Sequence, residues 1–534
     1  MAAVDVDTSG VSYEPLTPLA FLRRSALVWR DRPAVLEGDR EWTYGEHLAR
    51  VERAVGMLLG LGVAPGDRVA AILPNVAAML ELHYAVPGAG AVLVPINTRL
   101  AAGDYAYILD HSGARVLVAT SELREPIEAA LATGARAVER VIWLDQDDPT
   151  ACGYEAALAA AEPAPLAAVA DEAGLLSIGY TSGTTGRPRG VMTCHRGAYL
   201  HSLGVIAEAQ LQATSSYLWT LPMFHCNGWA YTWAVTATGG RHVCLPRVDP
   251  EEIWARIGAG QVTHMCAAPT VLTMMLSSPA AATTPRPVRL FIGGAPPAPA
   301  LIKRAEGLGI GITHLYGLTE TYGPIAVCAW NPDWDDLDHE EQFRLRARQG
   351  VGTVVSERLR VVDEEMRDVP ADGETLGEVV MRGNNVMLGY YRDPEATAEA
   401  FRGGWFHSGD LAVIDGDGYV ELRDRAKDIV ISGGENISTI EVEQALAAHP
   451  DVLEVAVVGA PDERWVEVPV AYLTAAPGRE PDPAELIEFA RGRLARFKVP
   501  KSLEVVDELP KTGTGKVQKF LLRERAGRRA PERP

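Results

Sequence analysis

Tyr180-Thr181-Ser182-Gly183-Thr184-Thr185-Gly186-Arg187-Pro188-Arg189-Gly190-Val191 follows an apolar, strand-like run at 175–179. Small hydroxylated residues and glycines offer hydroxyls and free backbone N–H groups, which is what wraps the oxygens of a polyphosphate. The spacing is not GxxxxGK[ST], and no helix start follows as a Walker loop requires. A loop of this composition alone is usually a surface turn, so its neighbourhood has to decide. Upstream, 69–73 reads as a strand, 76–86 as a helix, 91–95 as a strand, 105–111 as a helix and 115–118 as a strand. This βαβ patterning predicts parallel sheets covered by helices. Glu162-Pro163-Ala164-Pro165 reads as a loop or linker. Downstream the texture changes near residue 350. There 377–381 and 419–422 read as short strands, and Gly416-Asp417-Gly418 turns into the second. After Asp424-Arg425 come a strand at 429–432, a helix at 439–448, strands at 452–459 and 468–473, a helix at 482–493 and a strand at 503–506. That is enough for a small α+β domain.

The chain has 534 residues, 47% of them hydrophobic and 22% charged, which argues against a disordered chain. Fifty basic against 70 acidic residues give a formal charge of −20. Such a balance disfavours nucleic acid and anionic surfaces as partners, so any bound phosphate must be held locally. No apolar stretch is long enough to span a bilayer. The first 24 residues lack a basic segment followed by an apolar core, and Glu532-Arg533-Pro534 is not a peroxisomal address. Cys152, Cys194, Cys226, Cys244, Cys266 and Cys328 show no CxxC pairing, which predicts reduced thiols. The expected location is the cytoplasm; oligomeric state is not legible. Only Lys303, Lys427, Lys498, Lys501, Lys511, Lys516 and Lys519 are lysines among the 50 basic residues, so each lysine raises the question of why it is not Arg. The last 24 residues are the one basic region. They read as a solvated tail beyond Lys519, with function expected in 511–519.

The quoted loop resembles the phosphate-binding signature of the adenylate-forming superfamily, which includes acyl-CoA synthetases, aryl-CoA ligases and adenylation domains. Further segments in register carry the likeness from about residue 17 to 525. They are Leu315-Tyr316-Gly317-Leu318-Thr319-Glu320-Thr321, Ser408-Gly409-Asp410-Leu411, Arg423-Asp424-Arg425-Ala426-Lys427-Asp428, Ser432-Gly433-Gly434-Glu435-Asn436-Ile437 and Pro510-Lys511-Thr512-Gly513-Thr514-Gly515-Lys516. The resemblance implies an α/β fold with a large ATP- and acid-binding domain over 1–424, β-rich from about 350, and a small mobile α+β lid over 425–534. It also implies ATP-dependent formation of an acyl-adenylate with pyrophosphate release, then transfer to CoA, with ATP, Mg²⁺ and CoA as cofactors. The alternative is a different acceptor: a carrier-protein thiol or an amine, or a relative that activates nitrite.

The chemistry explains these residue types. A carboxylate is a poor acyl donor until its oxygen is phosphorylated, and in-line displacement is catalysed by positioning and charge neutralisation. The resemblance assigns the ATP cradle to Thr181, Ser182, Gly183, Thr184, Thr185, Gly186 and Arg189, a position where the family usually has Lys. It gives the adenine wall to Gly294, Ala295 and Pro296, with Tyr316, Gly317, Thr319 and Thr321 beside the nucleotide. Glu320, with Thr184, is assigned to Mg²⁺, which favours hard oxygen ligands. Asp410, with Arg425, is assigned to the ribose, since a carboxylate can accept two hydrogen bonds from a diol. The resemblance also implies that Lys516 is the catalytic cation, that Lys427 is the hinge, and that Gly433, Gly434 and Glu435 border the CoA tunnel. It places an aromatic gate, beside the acid carboxylate, at His225. Trp229, Met265, Cys266 and Tyr322 are expected to wall the acyl pocket. Phe224-His225-Cys226-Asn227-Gly228-Trp229, together with the segment Trp330–Gln349, resembles the branch with medium-chain, short branched and aryl-CoA ligases. His225 and Cys226 could also suggest a nucleophile pair, but the motif gives His225 another job.

Overall fold

The computed structural model describes residues 13–144, 153–181, 187–295, 297, 299–425, 427–432, 435–462, 464–511 and 517–528. Ser182, Gly183, Thr184, Thr185, Gly186, Pro296, Gly433, Gly434 and Lys516 lie outside the described residues.

Two large sheets enclose a helical layer. In the seven-stranded sheet the order is Gly389–Tyr390, Gly190–Cys194, Leu175–Tyr180, Val92–Pro95, Arg68–Ile72, Ala114–Thr120, Arg140–Leu144. Its inner strands pair in parallel, Val69 opposite Leu93 on one side and Val116 on the other. The nine-stranded sheet runs from Val351–Gly352 through Gly323–Val327, Ile310–Leu318, Val288–Ile292, His264–Ala267, Ser216–Leu218 and Arg241–Cys244 to Pro33–Glu37 and Arg40–Thr43. The helix Ala77–Gly88 is buried along its whole length, because AAMLELHYAVPG presents apolar groups on nearly every face. It shares one core with Val69 and Leu93 of one sheet and Tyr217, Phe291 and Leu315 of the other.

Parallel pairing is only part of the outcome. Leu175–Tyr180 and Gly190–Cys194 are antiparallel, as are Ile310–Leu318 and Gly323–Val327. The strands on either side of 182–186 are therefore the two arms of one hairpin, and 319–321 forms the tip of another. The expected absence of a helix after the first loop agrees with this geometry.

A four-stranded antiparallel sheet follows, in the order Arg360–Val362, Gly377–Met381, Phe406–Ile414, Val420–Arg425. Beyond Lys427, the strands Val430–Ser432, Glu435–Ile437, Val452–Asp462, Val466–Ala475 and Ser502–Val505 form one sheet. The helices Thr439–Ala447 and Pro483–Arg491 bury Val442, Leu446, Leu486 and Ala490 in its core.

One expectation needs correction. The chain after Lys519 is not a solvated tail: Lys519–Arg528 is a helix. Leu522 and Ala526, four residues apart on one face, are buried with Ala456, Val458 and Tyr472. The Lys519 ammonium is also inside, 2.7 Å from Glu443 Oε1 and 2.6 Å from Thr439 Oγ1. Asp424 accepts from the Thr439 backbone N–H at 2.5 Å and from its hydroxyl at 2.6 Å. The N-terminus of the helix Thr439–Ala447 is thereby tied to the strand that ends at Arg425.

Candidate active site

The loop at 181–189 closes the hairpin of Leu175–Tyr180 and Gly190–Cys194. Thr181 N–H donates to the Arg189 carbonyl at 3.0 Å, and Arg189 N–H to Thr181 Oγ1 at 3.3 Å. Beside it stands the second hairpin, whose tip carries Thr319, Glu320 and Thr321 in one 3₁₀ turn. This tip is tight because two glycines permit it. A Cβ on Gly317 would lie 2.0 Å from the Gly323 carbonyl oxygen, and Gly323 has φ +104°.

Thr321 belongs to the hairpin, not to the ligand surface. Its hydroxyl accepts from Leu318 N–H at 2.9 Å and donates to the Gly323 carbonyl at 2.6 Å, and the residue is fully buried. The expectation that it binds ATP is corrected on that ground.

The strand Gly389–Tyr390 laces the two hairpins together, and the sequence reading missed it. Leu388 N–H donates to the Met192 carbonyl and Tyr391 N–H to Gly190, while Met387 N–H reaches the Glu320 carbonyl. Tyr390 then donates its hydroxyl to Glu320 Oε1 at 2.9 Å, and the Arg189 guanidinium lies 5.1 Å over its ring. Arg189 is half-exposed and 3.9 Å from Asp393. The only sequence signal for Tyr390 was a glycine followed by two aromatics, which nothing in the pattern tied to Glu320.

Asp410 sits on the strand Phe406–Ile414 and is 4% exposed. Tyr316 donates to its Oδ2 at 2.6 Å, and Arg425 Nε lies 3.1 Å from Oδ1. Each carboxylate oxygen keeps a lone pair for a further donor. Burial beside this carboxylate pushes the Tyr316 phenol well up. The same acid holds the Arg425 guanidinium above its ordinary range despite burial. Gly294, at φ +89°, and Ala295 are exposed at the end of the strand Val288–Ile292. Lys427 lies in the turn after Arg425, where Asp428 N–H donates to the Arg425 carbonyl, and burial with the Arg425 charge lowers its pKa. Glu435 opens the strand Glu435–Ile437 and is exposed.

On the acyl side, Cys226, Asn227, Gly228, Trp229 and Ala230 all have left-handed φ, from +47° to +62°. Four non-glycine residues in that region store strain of about 1–2 kcal/mol each. The turn aims the Trp229 indole between Gly293 and Gly323. A Cβ on either glycine would come within 2.7 or 2.9 Å of it. Trp229, Cys266 and Tyr322 share the core between the two sheets. Met265 does not. Successive strand residues point to opposite faces, so Met265 packs with Leu218, Trp254 and Met275 on the far side, which corrects its placement in the acyl pocket. His225 is half-buried at the start of the turn, and its ring nitrogens lie 4.0 Å from Cys226 Sγ. Burial pushes the Cys226 thiol up to about 12, so it is not a thiolate nucleophile.

The arrangement suits Mg²⁺ by donor chemistry. Among the described residues no group of three or more His, Cys, Asp or Glu could hold a metal ion. A lone carboxylate such as Glu320 suits a cation that takes one or two protein oxygens and completes its shell with phosphate and water.

The family described as AMP-binding enzyme matches residues 22–391, and the AMP-binding enzyme C-terminal domain matches residues 441–516. The chain is 43% identical to an acetate–CoA ligase of Humulus lupulus, covering 98% of this chain and 96% of that one. It is 42% identical to 4-hydroxybutyrate–CoA ligase 2 of Metallosphaera sedula, covering 98% and 97%. Among solved structures, ATP-bound MatB from Rhodopseudomonas palustris superposes with a TM-score of 0.85 at 30% identity, over 96% of this chain and 99% of that one.

Proposed function

Because the chain belongs to the AMP-binding enzyme family and is an AMP-forming acid–CoA ligase, we propose that it acts on a short acid, with Glu320 and Asp410 as the two carboxylates that organise ATP. The observation that carries this reading is the pair of pre-fixed carboxylates, Glu320 on the hairpin beside the 181–189 segment and Asp410 on the strand Phe406–Ile414. One is held by Tyr390, the other by Tyr316 and Arg425. Such preorganisation spares the reorganisation cost during reaction. Asp410 takes the ribose diol on its remaining lone pairs. Thr181 and Arg189 face the phosphates. Glu320 would hold Mg²⁺, which would supply charge neutralisation for the leaving pyrophosphate. The acid carboxylate oxygen attacks the α-phosphorus, the bond to the β-phosphate oxygen breaks, and pyrophosphate leaves. The CoA thiolate then attacks the acyl carbon and AMP departs. Lys516 is the cation for the first step, and the turn at Lys427 is the pivot that brings Glu435 to the CoA side for the second.

The preference for short acids rests on Trp229, whose indole fills the space between Gly293 and Gly323. A pyrophosphate-release screen tests the proposal. Linear acids of two to ten carbons are offered with ATP, Mg²⁺ and CoA. Release should peak at five carbons or fewer, and Glu320→Gln should abolish most of it. A maximum at eight or more carbons would contradict the assignment of Trp229.

A further inference from the structure

The helix His195–Ala209 presents His201, Gly204, Val205 and Glu208 on one face, at the i, i+3, i+4, i+7 spacing. These residues line a cavity of about 20 Å³ whose other walls include Tyr231, Phe291 and Pro324. It lies behind the Glu320 hairpin: Pro324 follows the glycine on which Trp229 rests, and Tyr231 follows Trp229 by two residues. A space of this size takes one water-sized group.

One polar side chain of its lining, His201, is unusual. His201 is 2% exposed, and neither ring nitrogen has a hydrogen-bond partner among the described residues. The Tyr322 hydroxyl, on a ring 5.8 Å from His201 and edge-on to it, is equally unpartnered, as is the indole N–H of Trp233, stacked 6.1 Å from Tyr322. More than about nine in ten buried polar groups are satisfied in native proteins. Of these three, only His201 lines the cavity, with the Tyr322 and Trp233 rings continuing from it, so the imidazole is the orphan placed to bind an oxygen there.

We propose that the acid accepted by this ligase carries a hydroxyl group at its far end, and that His201 reads that hydroxyl. The inference rests on the acid–CoA ligase reading and names its substrate class. Burial holds the imidazole down to about 4, so it is neutral at working pH and offers one donor and one acceptor, the complement of a hydroxyl. A second carboxylate is disfavoured, since no cation lines the cavity among the described residues and Glu208 does.

The test compares kcat/KM for matched acids: propanoate with 3-hydroxypropanoate, butyrate with 4-hydroxybutyrate, pentanoate with 5-hydroxypentanoate, and succinate as the charged control. It uses the wild type, His201→Met and His201→Gln. One hydroxy acid should exceed its alkyl partner by about tenfold or more in the wild type, as expected when a buried polar group would otherwise be left unpaired. His201→Met should invert that ratio, chiefly by raising turnover of the alkyl acid, and His201→Gln should keep part of the preference. Succinate should be poor throughout. Alkyl acids preferred in every pair by the wild type would overturn the proposal even if a variant fails to fold, and so would a ratio that His201→Met moves less than twofold. If no acid yields AMP, the ligase reading itself fails. If alkyl acids alone are used, only the hydroxyl proposal does.

Discussion

The hydroxyl of Tyr390 does for Glu320 what Tyr316 and Arg425 do for Asp410: it fixes a carboxylate before a ligand arrives. A hydrogen bond to a charged group contributes about 1.5–3 kcal/mol. Tyr390→Phe keeps the ring under Arg189 and removes only the donor. Its kcat/KM for ATP should fall about tenfold, and the Mg²⁺ concentration for half-maximal rate should rise. A Mg²⁺ dependence identical to wild type would separate Tyr390 from the metal carboxylate. At this scale the sequence was legible where a residue sits in a motif and illegible where a partner comes from far along the chain, as Tyr390 does. The scarcity of lysine was a weaker guide than it looked. Lys498 pairs with Glu441, Lys511 with Glu454 and Lys519 with Glu443, so a retained lysine here is as often one half of a partly buried ion pair. A compact ammonium fits between Glu443 and Thr439 where a planar guanidinium would not.

Two hairpins and one left-handed turn shape the site, and the hairpin that carries Glu320 depends on glycine at a point of backbone contact. The Gly317 position is the most constrained, its missing Cβ facing the Gly323 carbonyl at 2.0 Å. Gly317→Ala must open the hairpin that presents Glu320. We expect it to lower ATP-dependent turnover by about a hundredfold, because misplacing a reacting group by about 1 Å costs that much. Far-ultraviolet circular dichroism should stay near wild type. Turnover within threefold of wild type would show that the hairpin geometry is not what positions Glu320. The βαβ pattern made the parallel core readable, since apolar strands and amphipathic helices alternate at the right lengths. The Glu320 hairpin was not readable, because its bend rests on a close backbone approach rather than on periodicity. Met265 shows the same limit: a motif neighbourhood placed it near Cys266, while the two-residue strand period sends it to the opposite face. The helix Lys519–Arg528 was missed because its basic residues concealed the short apolar stripe of Leu522 and Ala526.

Across the whole molecule, seven buried histidines couple folding to pH. His47 is held down to about 3, and His83, His195, His201, His264 and His314 to about 4, while His242 lies well below its ordinary value, all mainly through burial. The unfolded chain takes up these protons near pH 6.5 and the folded chain does not, so stability is present above 6.5 and is lost as pH falls towards 4. At about 1.4 kcal/mol for each histidine by pH 5.5, a few of them rival a total stability of about 5–15 kcal/mol. The urea midpoint should therefore drop steeply between pH 7 and 5.5; a flat midpoint would mean that these rings gain protons in the folded state. The chain's family, acid–CoA ligases that form an acyl-adenylate, commits the chemistry to attack at the α-phosphorus. That commitment is open to direct measurement. With the acid labelled by ¹⁸O in its carboxylate and supplied with ATP, Mg²⁺ and CoA, mass spectrometry of the products should find one ¹⁸O in each AMP and none in pyrophosphate. Label in inorganic phosphate, with ADP as the nucleotide product, would contradict it.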